Sequence, residues 1–286
     1  MSKDRRLGLR RLRRRWEEDE AGSAAEIPPV SAPWSDEVQA TLTRGRVTAC
    51  SPIPSGSNYT FLCALDGVAG GVGGGVANVA ANGAEKQQLL AVYKPRRGEV
   101  PLWDFPDGTL YRREMAAYLV SRALGWPLIP PTVIRDGPYG VGSLQLFIAP
   151  GDRSSFFRFQ GQHQDELRQI TLFDHLVNNA DRKPSHFIKA HDGRLWAIDH
   201  GLTFHEDWKL RTVVFDFCET EIPEGLIADL SGLRGTPARL DALRSELGEL
   251  ISRREIEVFL QRVDHFIASR SFPSLDPYVN TPRGFW

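Results

Sequence analysis

Asn178-Asn179-Ala180-Asp181-Arg182-Lys183, with His186 close behind, and Ile198-Asp199-His200-Gly201 after a short hairpin-like stretch decide how this chain is read. The first segment puts a carboxylate, Asp181, in a loop just past a helix, where a side chain reaches substrate rather than packing. The second puts Asp199 at the end of the apolar strand Leu195-Trp196-Ala197-Ile198 and ahead of Gly201, which suits an exposed metal ligand followed by a tight turn. Either Asp alone is better explained by a turn or a cap. Two of them, in this order and eighteen positions apart, make a candidate site.

Upstream lie groups that complement two carboxylates. The strand Gln88-Leu89-Leu90-Ala91-Val92-Tyr93-Lys94 stops at Pro95, a place where the stem of Lys94 can be buried while its ammonium reaches into a cleft, although a Lys at a strand end is usually just exposed. Glu114, about one turn into the next helix, is the natural partner to orient it. Ser55-Gly56-Ser57-Asn58 is a small polar turn between two extended segments, able to offer backbone N–H groups and hydroxyls to phosphate oxygens. The Gly/Ala/Val/Asn tract between Leu65 and Leu89 contains no G-x-x-x-x-G-K-[ST], and Gly71 to Val76 fails G-x-G-x-x-G at its last position, so it reads as a flexible loop joining antiparallel strands.

The remaining elements follow from periodicity and punctuation. A short helix capped by Ser35 or Asp36 precedes extended segments near Gly45 to Cys50 and Tyr59 to Leu65. A helix runs from Gly108-Thr109 to Leu124, ended by Gly125 and Pro127. Strands at Val133-Ile134 and Val141 to Ile148 flank Asp136-Gly137-Pro138. After Pro150-Gly151 come a helix from Asp165 to Asn178, short strands at Phe187-Ile188 and Trp196 to Ile198, and helices within 237–271. Strands first and helices second predict an α+β fold of two lobes: an arm over 1–35, a strand-rich N-lobe over 36–149 and a helical C-lobe over 150–286, with the ligand in the cleft between lobes.

Composition bounds the function. The 286 residues suffice for a sizeable core, and a net charge of −1 gives no global pull toward nucleic acid or membrane. Arg10, Arg11, Arg13, Arg14 and Arg15, followed by Glu17-Glu18-Asp19-Glu20, make the arm a solvated tail too poor in large apolar residues to fold alone. No stretch reaches a membrane span or an apolar signal region. Cys50, Cys63 and Cys218 are scattered, odd in number and without C-x-x-C spacing, which argues against a disulfide framework or zinc knuckle and for a reducing cytoplasm. Histidines 175, 186, 191, 200 and 205 lie among several Asp residues but follow no metallohydrolase spacing.

Taken together, Gly56-Ser57-Asn58, Val92-Tyr93-Lys94-Pro95, Asn179 to Lys183 and Ile198 to Gly201 resemble the phosphatidylinositol 3-/4-kinase-like branch of the protein-kinase superfamily, and more closely a bacterial branch best known from actinobacteria. The resemblance covers residues 40–275. It implies an ATP-phosphate-binding Lys94, a helix Glu114 paired with it, a catalytic-loop Asp181 and a Mg²⁺- or Mn²⁺-binding Asp199. It also implies an inter-lobe hinge at Leu144 to Ile148, with Gln145 and Phe147 beside the adenine. The function implied is transfer of the γ-phosphate of ATP to a hydroxyl acceptor, in a protein, small molecule or lipid. One position departs from the pattern: His186 stands where related kinases place a metal-holding Asn, and imidazole suits Mn²⁺ better than Mg²⁺. That departure motivates the alternative, a pseudokinase that binds nucleotide or a partner without turnover.

Overall fold

The computed structural model describes residues 30, 32–54, 58–67, 77–81, 84–151 and 155–283. Helix α1 (Asp36–Arg44) is the first helix among the described residues. The Ser35 hydroxyl accepts from Val38 N–H, Asp36 and Glu37 occupy its positive end, and Val38 and Leu42 point into the core. Strands β1 (Arg46–Ile53), β2 (Thr60–Asp66), β3 (Ala77–Ala81) and β4 (Ala84–Pro95) follow, then β5 (Thr132–Gly137) and β6 (Gly140–Leu146). Their order is β1-β2-β4-β6-β5, with β3 also on β4, and every pairing is antiparallel. The tract expected to be a loop therefore contributes part of a hairpin, because Ala77 to Ala81 find backbone partners along Ala84 to Gln88. Period-2 alternation separates the faces of β4: Ala91 and Tyr93 enter the core while Val92 and Lys94 line the cleft.

Antiparallel register also corrects the cysteine reading. Cys50 and Cys63 are direct partners across β1 and β2, and the two are joined as a disulfide. Linear spacing gave no sign of this, since the pairing is made across the sheet. With it goes the argument from cysteines to a reducing compartment. Among the described residues no helix is long and apolar enough to cross a membrane.

Helix α2 (Leu110–Leu124) is the joint between halves. Gly125, at φ 73°, caps its end in the left-handed conformation that favours glycine. The helix packs on β5 and β6 and also on α5 (Glu224–Gly235) and α6 (Pro237–Gly248), so it is buried nearly all round. The helical half adds α3 (Phe156–Phe159), α4 (Gln164–Val177), the hairpin β7 (Phe187–Lys189) and β8 (Leu195–Ala197), α7 (Arg253–Ser269) and α8 (Pro277–Asn280). Among the described residues there are two principal cores: one under the sheet, built on Leu42, Cys63, Leu65, Ala91, Tyr93 and Trp196, and one among the helices, into which α2, α4 and α7 turn their apolar sides. This is the expected α+β arrangement, a sheet lobe and a helical lobe.

Candidate active site

A cleft of about 490 Å³ opens between the halves, and its wall includes Lys94, Glu114, Asp181, His186 and Asp199. Residues separated by up to 105 positions in sequence meet here, since Lys94 Nζ lies 2.8 Å from Asp199 Oδ1 and also donates to Glu114 Oε1. Lys94 is placed by β4, whose backbone is approached so closely by β6 that a Cβ on Gly142 would stand 2.4 Å from Lys94 O. Only glycine permits that approach. Glu114 is held on its other oxygen by His200 N–H at 2.9 Å, which links α2 to the segment after Asp199.

Electrostatics follow from burial and pairing. Burial works against the Lys94 charge, but Asp199 and Glu114 outweigh it and hold the ammonium well above the ordinary lysine range. Burial would raise Asp199 too, yet Lys94 and then His186 pull it far below the usual carboxylate range. With 47 % of the Asp199 side chain open to solvent, part of that pull is screened by water. Glu114, 4 % exposed, is raised by burial against the opposing effect of Lys94. Asp199 sits at φ 61°, a left-handed conformation uncommon outside glycine.

Asp181 projects from the loop after α4, where Asn178 at φ 55° ends the helix. Its N–H donates to Asn179 Oδ1 at 3.0 Å, Asn179 Nδ2 donates to Asp174 Oδ1 at 2.9 Å, and Lys183 Nζ lies 2.7 Å from Asp181 Oδ2. Burial raises the Asp181 pKa despite Lys183.

Arg182 holds the scaffold together. It is fully buried and makes a bidentate pair with Asp174 at 2.7 and 2.9 Å. It also donates to Ile198 O at 2.8 Å and His186 O at 3.2 Å, and lies 2.7 Å from His200 Nε2. One guanidinium thus fastens the Asp181 loop to the Asp199 turn, a task the planar fork performs and an ammonium cannot. The signal in the sequence was Asp174, an acid on the buried side of a helix, which demands a cation.

His186 Nδ1 accepts from Lys183 N–H at 3.4 Å, which puts the ring hydrogen on Nε2, and Nε2 faces Asp199 Oδ2 at 3.3 Å. In that tautomer the ring donates to the carboxylate instead of offering a lone pair to a metal. Burial, the largest influence, lowers its pKa to about 4, so it is neutral at pH 7. Among the described residues no cluster of three or more His, Cys, Asp or Glu is disposed to hold a metal. The carboxylates on the cleft wall are oxygen donors, the kind a hard cation such as magnesium takes.

Of the other residues singled out, Ser55, Gly56 and Ser57 lie outside the described residues, whereas Asn58 is on the cleft wall and accepts from Val100 N–H at 2.7 Å. Gln145 and Phe147 also reach the cleft, but Gln145 Nε2 is engaged with Thr132 Oγ1 at 2.9 Å and Phe147 N–H with Leu90 O at 3.0 Å. The N–H groups of Ile148 and Ala149 have no partner among the described residues and are the unused donors of this strand end. Glu99, Lys183 and Ser185 are cleft residues that were not counted as site residues from sequence.

No family model matches the chain. Among solved structures it is similar to the Golgi casein kinase (TM-score 0.47, 14 % identity, covering 82 % of this chain and 74 % of that one). It is also similar to the Helicobacter pylori proinflammatory kinase CtkA (TM-score 0.46, 11 % identity, 80 % and 94 % covered). Protein Rv2133c of Mycobacterium tuberculosis is 37 % identical over 254 residues, spanning 77 % of this chain and 83 % of that protein. At that identity and coverage, the chain belongs to the same family as the mycobacterial protein Rv2133c.

Proposed function

We propose that this chain is an ATP-dependent phosphotransferase of the phosphatidylinositol 3-/4-kinase-like type, with 36–149 as the nucleotide-holding lobe, 150–286 as the lobe carrying the catalytic loop, and 1–35 as an arm. The observation that carries the reading is Lys94 Nζ shared between Glu114 and Asp199 in a cleft that also receives Asp181. An ammonium so held cannot drift, and it is preorganised for phosphate charge. The Ile148 and Ala149 N–H groups would meet the adenine edge, and Asn58 borders the phosphates.

Phosphoryl transfer requires positioning and charge neutralisation more than covalent chemistry. The acceptor hydroxyl hydrogen-bonds Asp181, whose raised pKa brings it nearer to a working base. As the acceptor oxygen bonds to the γ-phosphorus, the β–γ bridging P–O bond breaks. ADP leaves with that electron pair, and the hydroxyl proton passes to Asp181. Lys94 and Lys183 stabilise charge on the phosphoryl oxygens. A divalent ion held by Asp199 would supply further charge neutralisation.

Incubation with γ-labelled ATP and Mg²⁺ or Mn²⁺ tests this. Labelled product, including self-labelling, is expected from the wild type and not from Asp181→Ala; label that persists in Asp181→Ala removes the role given to that carboxylate. The second reading, a pseudokinase, draws on the protonated Nε2 of His186 facing Asp199 where an oxygen ligand would otherwise stand. Nucleotide-dependent stabilisation without transfer across acceptors and metals would favour it.

A further inference from the structure

Segment 210–212 is clamped from two sides. Arg211 N–H donates to Asn179 O at 2.9 Å and Arg211 O accepts from Arg182 N–H at 3.0 Å, so residue 211 sits directly opposite the loop that carries Asp181. From the far side, Asn280 of α8 donates through Nδ2 to Leu210 O at 2.7 Å, and its carbonyl accepts from Thr212 N–H at 2.7 Å. The Arg211 guanidinium lies against the same loop, with Nη1 3.4 Å from Ala180 O.

Four nearby cations have carboxylate partners. Lys94 has Glu114 and Asp199, Arg182 has Asp174, Lys183 has Asp181, and Lys209 has Asp104. Arg211 does not: among the described residues its side chain makes no ion pair and one hydrogen bond, to that carbonyl. It is half-buried, and it lies off the wall of the nucleotide cleft although Asp181, next to its contact residue, is on it. A guanidinium on a fixed backbone, partly desolvated and lacking a counter-ion, is a receptor for a planar carboxylate or a phosphate. Its position beside the Asp181 loop but off the cleft wall assigns that receptor to the acceptor and not to the nucleotide.

We propose that Arg211 binds an anionic group of the phosphate acceptor, so that the acceptor is a hydroxyl compound carrying a carboxylate or phosphate near the reacting oxygen. The inference rests on the phosphotransferase reading and fails separately from it.

The experiment uses the full chain with a non-hydrolysable ATP analogue and Mg²⁺ filling the cleft, and inorganic phosphate as probe. Trp208 lies three residues before Arg211 and is 48 % exposed, so its fluorescence reports on the segment. Wild type is expected to give a saturable response that weakens at least tenfold in Arg211→Gln and less in Arg211→Lys. An unsaturable wild-type response, or equal affinity in Arg211→Gln, overturns the proposal. A second arm compares glycerol 3-phosphate with glycerol, and a Ser peptide flanked by Glu with its Gln counterpart, as acceptors. The charged member of at least one pair should be preferred at least tenfold, and Arg211→Gln should erase the preference; a preference that survives in Arg211→Gln overturns the proposal. The pair that shows it separates small-molecule from peptide acceptors. If no acceptor is labelled, the phosphate titration decides. Failure of the wild type to bind the ATP analogue would instead remove the phosphotransferase reading.

Discussion

Replacing Lys94 by Met strands a carboxylate, and the structure sets the size of the consequence. Glu114 is 4 % exposed and loses its ammonium partner, retaining only the His200 N–H at 2.9 Å. Removing one member of a buried ion pair costs about 3–5 kcal/mol. A ceiling comes from protonation: taking a carboxyl from its ordinary pKa of about 4.3 to neutrality at pH 7 costs about 3.7 kcal/mol. The retained backbone bond lowers the figure, so Lys94→Met should lose about 2–3 kcal/mol in urea unfolding at pH 7. Glu114→Gln in the same chain removes the stranded charge and keeps an acceptor for His200 N–H. The double variant should therefore recover to within about 1 kcal/mol of wild type, a clear departure from additivity. Phosphate transfer should not recover, because the missing ammonium leaves about 10²–10³-fold of transition-state stabilisation unsupplied. A Lys94→Met loss below about 0.5 kcal/mol, or strict additivity in the double variant, would show that the pair is not held as described.

Three further outcomes are expected. Arg182→Ala should destabilise by about 3–5 kcal/mol in chemical denaturation, and Arg182→Lys should rescue little, because the buried Asp174 keeps its bidentate partner only with a guanidinium. His175, buried among Trp208, Phe266 and Phe272, has its pKa lowered to about 4 by burial, so the unfolded chain binds more protons below pH 6.5. Its contribution is complete above pH 6.5 and lost on acidification toward pH 4, on the order of 3 kcal/mol, and urea unfolding of His175→Phe should show a correspondingly shallower acid slope. Asp199→Asn should abolish the Mg²⁺-dependent part of nucleotide-induced thermal stabilisation; stabilisation that responds to Mg²⁺ as before would contradict the metal assignment.

Much of the frame was legible because it rests on local rules. Gly125 ended α2, Ser35 capped α1, and the turn residues Asp136-Gly137-Pro138 separated β5 from β6. The convergence of Lys94, Glu114, Asp181 and Asp199 could be reasoned from the chemistry that each one needs. What stayed hidden was set by contacts across the fold. The Cys50 to Cys63 pairing depends on strand register, and the short strand Ala77–Ala81 depends on a partner more than on its own weak propensity. Helix α5 escaped notice because Gly225, Gly232 and Gly235 dilute its pattern, while Ile227, Leu230 and Leu233 bury its face. The burial of Arg182 was not legible either, because it is decided by a partner, Asp174, which lies a loop away.

The most direct measurement is a crystal structure of the chain with a non-hydrolysable ATP analogue and Mn²⁺. The account predicts the triphosphate between Lys94 and Asp199, with the γ-phosphate facing Asp181. An analogue seated elsewhere, or a cleft without it at saturating concentration, would contradict it.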